Sequence, residues 1–348
     1  MTQHPLRIVI TGASSGIGAA TAIAFAKEGA QLILAARGAE GLVDIAARCR
    51  AAGGTAETQV LDVTDAAAVS AFAQTAQQML DGIDLWFSCV GVGVVGRFQQ
   101  VPIQDHARVI DTNLTAHMNE AHAVLPIFLA QEHGTWVNMI SVGGFVATPY
   151  AAAYAASKFG LRGLSQALRG EVSKYPRIHI CDVYPTFVDT PGIDHAGNYT
   201  GARLSLPPGA LSPDSVAKAV VRLARHPRNT TVIGAPALAL KLGQFAMPNL
   251  MAATMNGFMD VWSHRAERGE DTRGALFDPP AGASSSSMGA FARRFGSCTV
   301  SRRTRVGKGR DRALRSKLSA TRCRCSSSAS PTPPSSSIQP TCSHRHAP

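Results

Sequence analysis

From Arg7 to about residue 233, short runs of β-branched and other apolar residues alternate with Ala-rich stretches of helical length. Continuous apolar runs of four to six residues bounded by turn residues read as strands buried on both faces, and the longer stretches between them as helices. The pattern predicts strands at Arg7–Thr11, Gln31–Ala36, Ala56–Leu61, Leu85–Val90, Thr135–Ile140, His179–Tyr184 and Thr231–Ile233. Helices are predicted at Gly16–Glu28, Ala39–Ala52, Ala66–Leu80, Gln104–Gln131, Ala153–Lys174 and Pro213–Ala224. Regular alternation of this kind is the rhythm of βαβ units. It implies an α/β fold, a Rossmann-like, doubly wound parallel sheet of seven strands with helices on both faces. Gly29, Gly53 and Gly134 stand just past three of the helices, where a left-handed cap is favourable.

Beyond about residue 262 the rhythm stops. The sequence therefore predicts one domain at 1–262, containing a substrate loop at about 191–211 and an apolar, Met-rich segment at about 235–262. A Ser/Arg/Pro-rich tail at 263–348 is predicted to be disordered, because its few large apolar residues cannot offset the entropy of ordering. The formal charge of +11 changes meaning once it is located. Residues 293–348 carry 13 of the 34 Lys and Arg but only Asp311 among the acids, so the rest of the chain is nearly neutral. The basic cluster Arg302, Arg303, Arg305, Lys308 and Arg310 lacks interleaved aromatics, which argues against nucleic acid as a partner. Cys323, Cys325, Cys342, His344 and His346 match no zinc spacing, and no metal is expected. The abrupt change of composition near residue 284 reads as a nonfunctional extension, as an out-of-frame segment would be.

Met1–Arg7 has no apolar signal region, which makes a cytoplasmic location the expectation. Val232–Met259 is broken by Lys241, Gln244, Asn249, Asn256, Pro236 and Pro248, short of a membrane span. The Phe245–Met259 part fits a lid over an apolar pocket, an oligomer contact or a peripheral membrane contact equally well.

Candidate chemistry begins after the first strand, at Thr11-Gly12-Ala13-Ser14-Ser15-Gly16-Ile17-Gly18. Glycines there allow a tight turn and a close backbone approach to a pyrophosphate, which the following helix N-terminus favours. About twenty residues on, where an acid would bind a ribose 2′-hydroxyl, stand Ala35-Ala36-Arg37. A guanidinium pairs with a 2′-phosphate, so Arg37 points to NADP(H) in preference to NAD(H). Asp62, followed by Val63, ends the third strand, where its carboxylate suits an adenine amino group or a helix N-cap. Tyr154 and Lys158, four apart, share one helix face, and a cation near a phenol stabilises its phenolate. Ser141 follows the Val137–Ile140 run at the carboxyl end of a strand, where ligands of such sheets bind.

In this order, these motifs make the chain resemble the short-chain dehydrogenase/reductase family, of the short single-domain type, over about residues 6–233. The family's glycine motif is matched by Thr11, Gly12, Gly16 and Gly18, its adenine-site acid by Asp62, and its reactive set by Asn113, Ser141, Tyr154 and Lys158. The resemblance implies hydride transfer between a nicotinamide and a carbonyl or secondary alcohol, with Tyr154 exchanging the proton and Ser141 hydrogen-bonding the substrate oxygen. It also implies that Lys158 lowers the phenol's pKa and holds the nicotinamide ribose, and that Asn113 supports a water linking Lys158 to solvent. Gly91 is implied to keep a close approach to the cofactor and Val188 and Thr190 to contact the nicotinamide carboxamide, and a homodimer or homotetramer is implied in solution. Val142, Phe145, Tyr150 and Phe187 suggest an apolar small-molecule substrate, with His195 and Tyr199 as further candidates. A noncatalytic NADP(H)-binding scaffold or sensor is the alternative. Two departures stand out. Ser88-Cys89-Val90-Gly91 replaces the usual Asn-Asn-Ala-Gly, which removes side-chain bonds that brace neighbouring strands, and Thr186 replaces a Gly.

Overall fold

The computed structural model describes residues 4–207, 209–234 and 242–279. The strands are β1 (Arg7–Thr11), β2 (Gln31–Ala36), β3 (Thr55–Val60), β4 (Leu85–Ser88), β5 (Val94–Gly96), β6 (Gly134–Met139), β7 (Ile178–Pro185), β8 (Gly197–Tyr199) and β9 (Thr230–Ile233). The helices are α1 (Gly16–Ala26), α2 (Ala39–Ala51), α3 (Ala66–Leu80), α4 (Ile103–Ile110), α5 (Ala116–Gln131), α6 (Ala152–Glu171), α7 (Pro213–Arg225) and α8 (Pro248–Arg265). Seven strands form one parallel sheet in the order β3-β2-β1-β4-β6-β7-β9. This is the expected doubly wound arrangement. Its order reverses between β1 and β4, so the connections leaving their carboxyl ends run to opposite sides and open a crevice there.

Alternate residues of the inner strands feed two cores. Ile8, Ile10, Leu32, Leu34, Phe87 and Val137 face α1, α2 and α7, meeting Phe25, Leu42, Ile45 and Val220. Val9, Ile33, Trp86, Trp136 and Ile180 face the other side, meeting Val69 and Phe72 of α3 and Val124 and Phe128 of α5. Double-sided burial is why the strands read as unbroken apolar runs.

Three expectations need correction. The helix expected at Gln104–Gln131 is two helices, α4 and α5, joined by a π-helical turn at Asp111–Thr115. A widened turn adds only one residue, a slip too small to disturb the apolar periodicity. Gly134 is not a helix cap. Glu132 takes the left-handed conformation at the end of α5, while Gly134 opens β6 with φ +153° and the Phe128 ring where a Cβ would sit. The chain also remains ordered beyond 262. After α8, a strap at 266–279 makes antiparallel bridges from Arg268 to Ala202 and from Thr272 to Asn198, and it buries Leu276 completely against Val94, Val101 and Val109. Main-chain bonds and one buried leucine seat it, a signal that apolar content does not carry. The rest of the tail lies outside the described residues. Among those described, no helix is long and apolar enough to cross a membrane, and no three metal-ligating side chains cluster.

Candidate active site

A cleft of about 930 Å³ lies along the carboxyl ends of the strands. The turn between β1 and α1 forms its floor, and the glycines there have no room for side chains. A Cβ on Gly18 would lie 2.2 Å from the Gly12 carbonyl oxygen, and one on Gly12 (φ +70°) would lie 2.7 Å from that of Cys89. Ser15 caps α1 in extended backbone without a side-chain capping bond, and the first turn carries no acid. Unsatisfied N–H groups and the helix dipole therefore meet the cleft with no carboxylate in that first turn to oppose an anion. Ser14, Gly16 and Ile17 line the same floor, where a Cβ on Gly16 would lie 3.3 Å from the Thr190 Cβ.

At one end of the cleft stand Arg37, Asp62 and Val63. Asp62 does not cap a helix; Asp65 caps α3. The Asp62 carboxylate accepts from the Thr64 amide (3.0 Å) and hydroxyl (2.7 Å) and from Arg108 (3.2 Å). Burial opposes its charge, but these bonds prevail and hold it below the usual carboxylate range. Arg37 donates to the carbonyls of Ala275 (2.9 Å), Leu276 (3.3 Å) and Phe277 (2.6 Å) in the strap. Burial, with the like charge of Arg108, lowers its pKa.

At the other end, α6 places Tyr154 and Lys158 on one face, next to Ser141. Ser141 has φ +130° and ψ 157°, a conformation costing about 1–3 kcal/mol in a residue with a side chain, and strain of this kind concentrates at functional sites. Its hydroxyl accepts from the Gly143 amide (3.2 Å) and hydrogen-bonds the Tyr154 phenol. Lys158 donates to the Met139 carbonyl (3.1 Å) and lies 5.7 Å from the Tyr154 ring centroid. Burial pulls its pKa down to about 8. Contrary to expectation, the phenol's pKa is raised, because burial outweighs the Ser141 bond.

Asn113 lies behind the cleft, fully buried in the π-turn. Its amide accepts from the Val92 N–H (2.8 Å) and donates to the Val92 carbonyl (2.9 Å) and Ser157 (3.2 Å). The side chain thus clips the loop after β4, beside Gly91, with both Nδ2 protons and one Oδ1 lone pair engaged.

The altered Ser88–Gly91 segment is not left unbraced. His117 Nδ1 lies 2.8 Å from the Ser88 hydroxyl and 2.7 Å from Asn138 Oδ1, its Nε2 3.0 Å from the Val90 carbonyl, and Asn138 donates to Ser165 (3.1 Å). One turn along α5, Glu120 accepts from Trp86 (2.9 Å) and Thr11 (3.2 Å). Burial pushes the Glu120 carboxyl up to about 7, and burial together with the Lys158 charge pushes His117 down to about 4.

Val142, Phe187, Leu204, Met255, Met259 and Trp262 make the wall beyond Tyr154, where the Trp262 indole donates to Ser205 (3.0 Å). The Met-rich segment thus reaches the cleft through α8. Val188 bridges Leu211 and lines the cleft with Thr190 and His195. Three aromatic candidates do not. Phe145 is buried against the Tyr184 ring (4.3 Å), Tyr150 sits under Arg97, and the Tyr199 hydroxyl donates to Asp105 (2.5 Å). Arg108 and the strap were not foreseen. Arg108 meets Asp62, Thr64 and Leu276 only through the fold, and no local spacing marks it.

A doubly wound sheet with a glycine floor at its switch point, and a Ser, Tyr and Lys gathered beside it, defines a dinucleotide-binding oxidoreductase architecture. Comparison with known proteins narrows this. Residues 7–198 match the short chain dehydrogenase family, and the chain belongs to it. An uncharacterized oxidoreductase of Bacillus subtilis, YxnA, is 30% identical over 280 residues, covering 79% of this chain and 78% of that protein. A match of that extent cannot fit within residues 1–265, so it takes in part of the strap. The ketoacyl reductase HetN of a Nostoc species is 31% identical over 226 residues, 65% of this chain and 77% of that one. Among solved structures, an alcohol dehydrogenase of the archaeon Thermococcus sibiricus, complexed with 5-hydroxy-NADP, superimposes with a TM-score of 0.58 at 27% identity, covering 65% of this chain and 94% of that one.

Proposed function

We propose that the chain is an NADP(H)-dependent reductase or dehydrogenase acting on a carbonyl or secondary alcohol of an apolar small molecule, with Tyr154 as the proton donor or acceptor. The observation that carries this reading is the Ser141 hydroxyl bonded to the Tyr154 phenol at the mouth of a cleft whose floor suits a pyrophosphate. Gly12, Gly16, Gly18 and the amides near Ser14, Ser15 and Ile17 would hold the pyrophosphate, Asp62 and Val63 the adenine, and Arg37 the 2′-phosphate. Gly91, Val188 and Thr190 would border the nicotinamide. When bound, the cofactor supplies or accepts the hydride.

The protein's own work is to hold the substrate oxygen and move one proton. The Ser141 and Tyr154 hydroxyls together offer two donors to a carbonyl oxygen, and its position is fixed by the strained Ser141 backbone. As the carbon gains a hydride, the oxygen takes the Tyr154 proton, leaving a phenolate. Lys158, with its pKa near 8, is still mostly cationic at neutral pH and lies close enough to stabilise that phenolate. Asn113 acts at one remove by fixing the loop that carries Gly91.

The test is NADPH oxidation followed at 340 nm against a panel of apolar aldehydes, ketones and quinones, with Tyr154→Phe as the control. The reading expects a loss of about 10²–10⁴-fold in turnover with NADPH affinity kept, the range of general acid–base catalysis. Turnover that survives in Tyr154→Phe would overturn it.

A further inference from the structure

The strap at 266–279 lies beyond the residues matched by the family and closes one end of the cleft. It is firmly seated. Gly274 (φ +54°) fits under the substrate loop so closely that a Cβ would lie 2.3 Å from the His195 carbonyl oxygen, and the Ala275 amide donates to that oxygen (2.8 Å). Leu276 is fully buried. The Arg108 and Arg273 guanidinium groups lie 5.7 and 5.6 Å from the Phe277 ring, and Arg108 also donates to the Leu276 carbonyl (3.0 Å). Ala275 and Pro279 line the cleft itself.

We propose that the strap is a specificity element of the nucleotide site, holding Arg37 so that it reads a 2′-phosphate on the bound adenosine. This rests on the reading that the cleft takes a dinucleotide. A free arginine is a long, mobile side chain whose rotamers must be frozen when it grips a ligand. Here the strap carbonyls freeze them beforehand. The three bonds engage Nη1 twice and Nη2 once. Among the described residues none uses Nε, so Nε and the second Nη2 proton remain as the adjacent pair that forms a side-on, bidentate grip on a phosphate. The Asp62 carboxylate, which would repel a phosphate nearby, is turned to Thr64 and Arg108.

The experiment uses adenosine fragments, which require no turnover. Binding of adenosine 2′,5′-bisphosphate and of AMP is measured by calorimetry for the full chain, for Gly274→Val and Leu276→Ala, which unseat the strap by crowding and by loss of its anchor, and for Arg37→Ala. The wild type is expected to prefer the bisphosphate by at least about tenfold, the scale of one charge-assisted pair. Either strap variant should reduce that preference to within about threefold, with AMP affinity little changed, and should add nothing in the Arg37→Ala background, as coupled residues do. A preference unchanged in both strap variants would overturn the proposal, as would tighter bisphosphate binding in them, which would make the strap a competitor for Arg37. A wild type without preference would overturn it too. If the fragments behave as expected while Tyr154→Phe still turns over, the assignment of the reaction fails and that of the strap stands.

Discussion

Glu120 and His117, neighbours on one face of α5, titrate in opposite senses, and the variant Glu120→Gln separates them. Glu120 is fully buried and its pKa stands at about 7 against an ordinary 4.5. Between those values the folded chain keeps a proton that the unfolded chain has lost, so stability is fully present below pH 4.5 and falls as pH rises to 7. The loss is about 3 kcal/mol. His117 is the reverse case, pushed down to about 4 from 6.5. Its contribution is present above pH 6.5 and lost as pH falls to 4, again by about 3 kcal/mol. In the wild type the two slopes cancel between about pH 4.5 and 6.5, the overlap of the two windows. Glu120→Gln keeps an acceptor for Trp86 and Thr11 and removes only the first slope. Urea unfolding of both proteins, read as free energy from midpoint and slope, isolates the effect, because every other titrating group appears in both. The difference between variant and wild type should shift in the variant's favour by about 3 kcal/mol between pH 4 and pH 8. A difference independent of pH, or one of opposite sign, would refute the reasoning.

Two further outcomes are expected. Gly18→Ala puts a methyl group against the Gly12 carbonyl, so nucleotide affinity measured by fluorescence should fall at least about tenfold; unchanged affinity would show that the turn can widen at no cost. Asn113→Leu strips the Val92 N–H and C=O of their partners, and urea unfolding should show a loss of about 2–4 kcal/mol, with an unshifted midpoint meaning that water replaces the amide.

Sheet order and the reactive set were legible in the chain because both leave local marks. Strands buried on two faces write continuous apolar runs, and Tyr154 and Lys158 lie one helical turn apart, within the reach of a spacing rule. The glycine floor was legible for the same reason, its residues being consecutive. What escaped depends on contacts between distant positions. β5 and β8, three residues each, are too short to show a period. Arg108 meets Leu276 from 168 residues away, and the strap meets Arg37 from 238 or more. The raised phenol pKa was missed because a spacing shows a neighbouring cation but not how much water the fold removes from both groups.

The contact between Ser88 and His117 bears on how such a chain can change over time. The two positions are 29 residues apart yet share one buried bond, and Asn138 joins them from β6. An asparagine introduced at 88 alone would meet an imidazole already filling the space, and a small residue at 117 alone would take the imidazole partner from Ser88, from Asn138 Oδ1 and from the Val90 carbonyl together. Each single step passes through a damaged intermediate, so the exchange is open mainly to paired change. A search that scores positions one at a time counts Ser88 as a defect, whereas a search for covarying pairs would count it as half of a solution.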